Sequence, residues 1–195
     1  MEKKIDELIE QLNKAKGFSR KTAERFIFDL ITNREKISDF KDIIKYIENN
    51  FTECEKCFYL AENGVCPICS DEYRNHNKIF VVSSIQDAHT TEKSNLFNGL
   101  YHILKGEINI NKNQTPEKLT IPNLLNRVDK DKEVILALNS TFEGEVTANF
   151  IAQLLKAKTN KITRIAKGMP VGGMLDYIDD LTLKSAINNR EKYED

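Results

Sequence analysis

Four cysteines within sixteen residues constrain the fold of this 195-residue chain more than any other feature. Cys54, Cys57, Cys66 and Cys69 form the pattern C-x2-C-x8-C-x2-C and are the only cysteines of the chain. Each C-x2-C pair can present two sulfur atoms to one ion, so two pairs supply the four thiolates of a tetrahedral zinc site. Four protein ligands leave no open position for water. The pattern therefore predicts one structural zinc ion per chain, and the alternative is a set of redox-active or merely buried thiols.

The overall composition excludes several classes of protein. The net charge of −1 argues against binding of nucleic acid by the surface as a whole. The sequence contains no apolar run of about 18 residues, so it predicts no membrane span. The charged, amphipathic start MEKKIDELIEQL lacks the apolar core of a signal peptide. We therefore expect a cytoplasmic protein. In the reducing cytoplasm, clustered cysteines bind a metal more often than they form disulfides.

The N-terminal part of the chain has the pattern of a small helical module. Residues 3–13 carry apolar side chains at helical spacing, and Gly17 can supply the turn that follows. A second amphipathic pattern runs from about Arg20 to Thr32, and Ser38 is a candidate N-cap for a third helix that ends near Asn49. These patterns predict a helical hairpin followed by one further helix.

A basic run lies at the turn of this hairpin. Residues 14–25 contain one acid and five cations, which are Lys14, Lys16, Arg20, Lys21 and Arg25. Backbone N–H groups at the start of the second helix can point at a phosphate while the cations add positive charge. We therefore assign these five side chains to DNA binding through the phosphate backbone, without readout of base sequence. The alternative is an ordinary helical connection with a solvated basic face.

The pattern changes to alternating strands and helices after the cysteines. Polar residues 71–78 are expected to form a connector, and short apolar or β-branched runs follow at 79–84, 101–104, 133–139 and 161–166. Helical patterns lie near 85–97, 121–130 and 143–158, and a last helix is expected at about 180–191. Strands that alternate with helices predict an α/β layer with a mainly parallel sheet. The fold class is therefore α/β in several modules.

Polar residues follow the predicted strand 133–139 at alternate positions, in the sequence NSTFEGE. Asn139, Thr141, Glu143 and Glu145 lie where alternating carboxylates would indicate a magnesium site for phosphoryl chemistry. The first two of these positions carry no charge, and the strand at 79–84 is followed by no acid before Asp87. Glutamates in the first turn of a helix also have a purely structural explanation, because they complement the helix dipole.

The order of these features resembles one known family. A basic helical hairpin, a four-cysteine knuckle and an α/β unit with the stretches EGEVTANFIAQL and RIAKGMPVGGMLDYID are similar to the RecR family of bacterial recombination mediators, over essentially the whole chain. The resemblance implies a helix-hairpin-helix DNA-binding module at residues 1–53 and a four-cysteine zinc finger at 54–69. It further implies a Toprim domain at 78–170 and a C-terminal oligomerisation segment at 171–195.

The resemblance also implies a function. Proteins of this family form dimers and ring-like tetramers, and together with RecO, and in many bacteria RecF, they help RecA to load onto single-stranded DNA. We therefore expect a non-enzymatic mediator of DNA repair that binds single-stranded and duplex DNA, acts at the nucleoid and has no membrane partner. The competing hypotheses are a magnesium-dependent Toprim nuclease or primase-like enzyme, and a zinc-containing scaffold without direct DNA contact.

The hairpin departs from the family pattern at two positions. The family usually has Gly-x-Gly followed by Pro-Lys-Ser-Ala, and Gly17, Lys21 and Ala23 match this pattern. Ser19 stands where the family has its second glycine, and Arg20 stands where it has proline. If that glycine position requires a positive φ, Ser19 would be strained.

The Toprim region departs further from the catalytic members of its superfamily. Catalytic Toprim proteins have an acid after the first strand and a D-x-D motif later, and the resemblance places Ser83, Asn139 and Thr141 at these positions. Neutral side chains cannot offset the charge of a divalent ion. The resemblance therefore predicts a surface that binds a partner, RecO in particular, through Glu143, Glu145 and Asn139.

Overall fold

A computed structural model describes residues 2–190 and 192. The chain divides after Phe51 into two compact units. None of the helices in the described part of the chain has the length and apolar composition that crossing a bilayer requires.

The first unit consists of three helices. Helix α1 spans Glu2–Asn13, α2 spans Arg20–Thr32, and α3 spans Arg34–Asn50. Helices α1 and α2 form the predicted hairpin around a small core of Ile9, Ala23 and Ile27, with Ile5, Leu12 and Phe18 packed against it. The buried positions of each helix are four residues apart or close to it, so one apolar stripe of each helix faces the other.

The start of the third helix was predicted wrongly. Helix α3 begins at Arg34, with Asn33 as its N-cap, so Ser38 lies inside the helix rather than at its end. The side chain of Asn33 makes no capping hydrogen bond, and its amide instead donates to Asp29 Oδ1 of α2. The start of α3 is therefore set by the contact between Asn33 and α2, and not by a side-chain capping hydrogen bond.

The second unit contains a four-stranded parallel sheet. The strands are β3 (Asn75–Val82), β4 (Gly99–Ile103), β5 (Glu133–Leu136) and β6 (Ile162–Arg164), in the order β4-β3-β5-β6. The helices are α4 (Ile85–Lys93), α5 (Ile121–Arg127), α6 (Phe142–Leu155) and α7 (Asp180–Asn188). The predicted α/β architecture with a parallel sheet is confirmed, since every pairing within this sheet is parallel.

Two strand boundaries differ from those predicted by three residues or more, and the others differ by at most two. Strand β3 begins at Asn75, inside the expected connector, because Asn75 donates a backbone hydrogen bond of 2.8 Å to the carbonyl oxygen of Asn98. Strand β5 ends at Leu136, three residues early, where its neighbour β6 also ends, since Leu136 pairs with Arg164. The last helix ends at Asn188, and residue 191 lies outside the described residues.

The cysteine segment packs against one face of this sheet and shares its core. Strands β1 (Phe51–Glu53) and β2 (Leu60–Glu62) form a small two-stranded sheet around the cysteines. Three of the cysteines lie in one buried cluster with residues of β3, α4 and β4, namely Val82, Ala88, Tyr101 and Ile103. The amide of Ile103 donates to the carbonyl oxygen of Cys57 at 3.0 Å. The other sheet face packs against α5 and α6 through a separate cluster.

A buried histidine lies beside this contact. The His102 ring meets the edge of Phe58 with ring centroids 5.5 Å apart. Its Nδ1 accepts from the guanidinium of Arg127 at 3.0 Å, so Nε2 carries the proton and donates to the carbonyl oxygen of Thr120. Burial, followed by the charge of Arg127, lowers the pKa of His102 to about 3, and the ring is therefore neutral near pH 7.

Candidate metal centre and candidate recognition surfaces

The four cysteine sulfur atoms converge on one point. All four Sγ atoms lie within 4.8 Å of one another. The distance is 3.6 Å between the sulfurs of Cys57 and Cys66, and 3.9 Å between those of Cys54 and Cys69. Four sulfurs at ~2.3 Å from one tetrahedral zinc would stand about 3.8 Å apart, whereas a disulfide would bring two of them to ~2.0 Å. The cysteines are free thiols, and their geometry fits a closed four-thiolate zinc centre.

The backbone forms two equivalent knuckles around this centre. In the first knuckle the amide of Phe58 donates to the carbonyl oxygen of Cys54 at 2.8 Å, and in the second the amide of Ser70 donates to that of Cys66 at 3.0 Å. The knuckles are joined by a turn at Asn63-Gly64, where both residues have positive φ angles, of 49° and 78° respectively. Asn and Gly are the residues that adopt this conformation most readily.

The thiols influence one another strongly. Hydrogen bonds to Cys66 and Cys69, together with burial, raise the pKa of the Cys57 thiol. The hydrogen bond from Cys57 is the main cause that lowers the pKa of Cys66. Four such close sulfurs cannot all ionise without a cation between them, so metal binding must displace protons from the centre.

The basic hairpin of the first unit presents its cations to solvent. The five predicted DNA-binding residues Lys14, Lys16, Arg20, Lys21 and Arg25 are all exposed. Arg20 forms ion pairs with two acids of α1, at 2.6 Å to Glu10 and 3.6 Å to Asp6. These pairs are well exposed and therefore weak, so the guanidinium can exchange them for a phosphate. No ion pair within the described residues engages Lys14, Lys16, Lys21 or Arg25.

The hairpin turn explains why serine is accepted at position 19. Gly17 has a φ of +91° and open space around it, so it takes the conformation that requires glycine. Ser19 has a φ of −71°, and its side chain accepts from the amide of Thr22 at 3.2 Å as the N-cap of α2. The expected strain at Ser19 is therefore absent, and the residue stabilises the helix that carries Lys21 and Arg25.

We expect Ser19→Ala to lower the free energy of unfolding by ~1 kcal/mol, because it removes the N-cap acceptor of α2. Ser19→Gly should cost only a few tenths of a kcal/mol, since glycine is a tolerated N-cap. Denaturant unfolding of both variants followed by circular dichroism measures the difference. Stabilisation by glycine would instead mean that the backbone at this position requires the family's glycine conformation.

The position after β3 at which catalytic Toprim proteins carry an acid is part of a helix-capping arrangement in this chain. Ser84 is the N-cap of α4, and Asp87 returns its carboxylate to the amide of Ser84 at 3.0 Å, which completes a capping box. The hydroxyl of Ser83 donates to the same Asp87 oxygen at 2.6 Å. Asp87 is therefore engaged in holding the start of α4.

The turn between β5 and α6 is organised by the carboxylate of Glu107, which was not among the predicted site residues. Oε1 of Glu107 accepts from the backbone N and from the side-chain Nδ2 of Asn139, both at 3.0 Å, and Oε2 accepts from the hydroxyl of Thr141 at 3.3 Å. Asn139 Nδ2 also lies 3.4 Å from Ser83 Oγ. The two positions of the former D-x-D motif are thus donors to an acid from another part of the chain.

The two glutamates of the EGE stretch differ in their surroundings. Glu143 accepts one hydrogen bond from Asn109 Nδ2 at 2.9 Å. Glu145 forms ion pairs of 2.8 Å with both Arg164 and Lys167. Partial burial opposes ionisation of Glu145, but the hydrogen bonds from Lys167 and Arg164 outweigh it and lower the pKa of this carboxyl group. The Glu145 charge is therefore largely compensated within the chain.

These contacts do not form a divalent metal site. Among residues 2–190 and 192, the four cysteines are the single group of three or more His, Cys, Asp or Glu side chains with ligand atoms close enough to share an ion. Asp87, Glu107, Glu143 and Glu145 each have hydrogen-bonding partners of their own. The turn has the outline of a Toprim site, but its carboxylates are directed at neighbouring donors.

Gly144 is required by the close approach of this turn. A Cβ atom at this position would collide with the carbonyl oxygen of Asn139 and lie 3.1 Å from Glu107 Oε1. An alanine normally stabilises a helix interior relative to glycine by ~1 kcal/mol. We expect Gly144→Ala instead to destabilise the protein by ~1–3 kcal/mol, because backbone must move to admit the methyl group. Thermal unfolding measures this, and an unchanged or raised melting temperature would show that the turn is loose.

Sequence reasoning missed Glu107 and Asn109. Both follow β4, and the available signal was an acid shortly after the predicted strand 101–104. In a parallel sheet the carboxyl ends of all strands meet at one edge. That signal could be used only if β4 was known to lie next to β3, which depends on the strand order.

Comparison with known proteins agrees with this architecture. The RecR zinc finger domain model, which is of the four-cysteine type, matches residues 50–71, the Toprim domain model matches 77–166, and the RecR C-terminal model matches 168–191. The recombination protein RecR of Phytoplasma mali (strain AT) is 40% identical over 196 aligned residues, which cover 97% of this chain and 95% of that protein. The proteins of the same name from Rickettsia bellii and Rickettsia felis are each 37% identical over 193 residues, which cover 97% of this chain and 96% of each of those proteins.

The chain belongs to the RecR family. The family resemblance and the fold class inferred from the sequence are thereby confirmed. The RecR zinc finger coincides with the converged sulfur atoms, so Cys54, Cys57, Cys66 and Cys69 hold one structural zinc ion. The Toprim domain of this RecR chain carries the turn in which Glu107 takes hydrogen bonds from Asn139 and Thr141.

Proposed function

We propose that this chain is a recombinational DNA-repair mediator of the cytoplasm and nucleoid. In this proposal it binds single-stranded and duplex DNA as a homodimer or homotetrameric ring or clamp. With RecO, and RecF where present, it promotes loading of RecA onto single-stranded DNA. The observation that carries the proposal is the family relationship, which extends over 97% of the chain to proteins named recombination protein RecR.

DNA binding is assigned to the basic hairpin within the proposed module 1–53. Lys21 and Arg25 stand four residues apart on α2 and therefore share one face of the helix. Their exposure and freedom from ion pairs within the described residues support a role in contacting phosphates. Lys14, Lys16 and Arg20 extend the same basic run, and Arg20 would release its two acids on binding.

Partner binding is assigned to the Toprim edge, with Glu143, Glu145 and Asn139 as the contact residues. Glu143 is the most available of the three, since it has one neutral partner, whereas Glu145 is held by two cations. Asn139 lies at the same edge, but its side-chain amide donates to Glu107 and is therefore less available to a partner. RecO is the partner that we assign to this edge.

We assign assembly into a dimer or ring to two exposed apolar surfaces, one on α3 and one in the proposed segment 171–195. No residue of α3 is buried, and its side chains Ile43, Ile44 and Ile47 are 53%, 62% and 52% exposed. In the proposed segment 171–195, Tyr177 and Leu181 are 83% and 80% exposed. Apolar faces of this kind are typical of surfaces that another chain covers.

The alternative function is that of a magnesium-dependent nuclease or primase-like enzyme using Asp87, Glu143 and Glu145. Glu107 adds a carboxylate to this edge and is the observation that favours the alternative. Its oxygens accept from three donors of the 139–141 turn, however, and a divalent ion would have to break those bonds. Incubation of the protein with labelled DNA and Mg²⁺ tests this. Cleavage or ligation that Glu143→Ala abolishes would establish the enzyme.

The proposed function is tested by RecA loading on single-stranded DNA coated with single-strand binding protein. We expect RecA loading to be faster with this chain and RecO together than with either protein alone. Mass measurement in solution at several concentrations, with and without DNA, should show a dimer or tetramer. A protein that stays monomeric and leaves loading unchanged would contradict the proposal.

A further inference from the structure

Three consecutive residues after β4 form hydrogen bonds to the turn that precedes α6 and to the first two turns of this helix. Glu107 accepts from Asn139 and Thr141, the amide of Ile108 donates to Thr147 Oγ1 at 2.8 Å, and Asn109 donates to Glu143 at 2.9 Å. Thr147 in turn donates to the carbonyl oxygen of Glu143 at 2.6 Å. These three residues are called the 107–109 segment below.

Glu107 supplies the charge in this arrangement. The turn offers it a backbone amide, a side-chain amide and a hydroxyl, which are three donors for one carboxylate. Hydrogen bonds to an ionised acceptor are about twice as strong as neutral ones. The turn also lies at the N-terminus of α6, where negative charge is favoured. The carboxylate therefore holds Asn139 and Thr141 in one arrangement.

Asn109 is fixed in an orientation that leaves its amide donor for Glu143. Its Oδ1 accepts from the amide of Lys112 at 3.0 Å. Its backbone exchanges hydrogen bonds with Gln114, at 2.9 Å from N to O and 2.8 Å in the reverse direction. Because the acceptor end of the side chain is already used, Nδ2 is the end that meets Glu143. The rotamer of Glu143 is therefore set from outside its own helix.

We infer that the 107–109 segment positions Glu143, and that Glu107 is its central positioning residue. The inference rests on the proposed function, in which Glu143 contacts a partner. Glu107 holds the turn from the side of Asn139 and Thr141, and Asn109 holds the glutamate side chain itself. The carboxylate of Glu107 thus gives the turn a fixed geometry without a bound divalent ion. The partner that fits an ordered Glu143 carboxylate is a protein surface with a cationic side chain opposite it.

The test is a double-mutant cycle on binding of purified RecO to the full-length protein. We expect Glu107→Ala and Glu143→Ala each to weaken binding by about tenfold. The double variant should bind no more weakly than Glu143→Ala alone, because a positioning residue acts only through the residue it places. Glu117→Ala is the matched control, since this exposed glutamate lies in the same loop region and outside the contacts with α6, and its RecO affinity should not change.

Two further measurements separate positioning from a general loss of structure. Zinc content and DNA affinity of Glu107→Ala should equal those of the unmodified protein. Amide exchange of Asn139 should accelerate, because its N–H donates to Glu107. If the alanine variant fails to fold, Glu107→Gln replaces it in the cycle, since glutamine keeps an acceptor for Asn139 and loses the charge.

The possible outcomes distinguish the positioning role of Glu107 from the partner surface assigned in the proposed function. Single effects that multiply in the double variant would mean that Glu107 contacts the partner itself, and this would overturn the positioning role while leaving the proposed function intact. Unchanged binding of Glu107→Ala would have the same consequence. Unchanged binding of Glu143→Ala would overturn the partner surface of the proposed function, and the positioning role with it.

Discussion

Cys57→Ser is expected to release the zinc ion and to unfold the second unit around the zinc finger. Cys57 is fully buried, and its carbonyl oxygen accepts the hydrogen bond of Ile103 at the end of β4. Structural zinc binding contributes ~10–16 kcal/mol to the folding of isolated zinc-finger peptides, while whole domains are stable by only ~5–15 kcal/mol. Loss of one ligand weakens zinc binding, and without the ion the remaining three thiols no longer hold the two knuckles together, so the zinc finger should open.

The damage should extend into the Toprim sheet, because the cysteines share a core cluster with Val82, Tyr101 and Ile103. Zinc content measured by a colorimetric chelator and amide exchange of β3 and β4 report the two effects. Glu55→Ser is the matched control, since Glu55 is an exposed residue between two ligands and receives the same side chain. A Cys57→Ser protein that keeps one zinc per chain and unchanged exchange in β4 would contradict the assignment.

Charge reversal of Lys21 and Arg25 is expected to weaken DNA binding by ~10–100-fold at moderate salt. Both side chains project from one face of α2 next to its N-terminus, whose free N–H groups add to the attraction for phosphate. Each lost phosphate contact should also reduce the slope of log K against log salt concentration by ~0.7 on single-stranded DNA. The double variant should therefore bind more weakly and with a smaller salt dependence.

Lys41→Glu combined with Lys45→Glu provides the matched control. These lysines are exposed, stand four residues apart on α3 and give the same change in net charge, but they lie outside the basic run. We expect this variant to retain most of its DNA affinity. Equal losses in both double variants would show that the total charge of the chain matters and that the hairpin is not the binding site. Unchanged binding in both would favour the scaffold hypothesis.

Local chemistry explains why several elements were predictable from sequence. Residues Arg20–Thr32 form a helix because their apolar positions repeat at helical spacing and Ser19 supplies an acceptor at the start. The boundary of α3 was not predictable in this way, because Asn33 is held by Asp29 from the preceding helix. Similarly, β5 ends where its neighbour β6 ends, and no residue within β5 marks that point.

The zinc centre follows from the local sequence alone. The two C-x2-C pairs fold locally into knuckles, and the only long-range requirement is that two such turns meet across the Asn63-Gly64 turn. The loss of the D-x-D acids from the Toprim turn is equally a property of the sequence, since Asn139 and Thr141 are neutral whatever the fold.

The role of those neutral residues depends on the tertiary structure. Glu107 reaches Asn139 over a separation of 32 residues, because the order β4-β3-β5-β6 brings the loop after β4 to the end of β5. Glu145 was grouped with Glu143 from the sequence, but its carboxylate forms ion pairs with Arg164 and Lys167. The charge of a side chain is a local property, but its hydrogen-bonding partner is set by strand order and packing, and these depend on the whole chain.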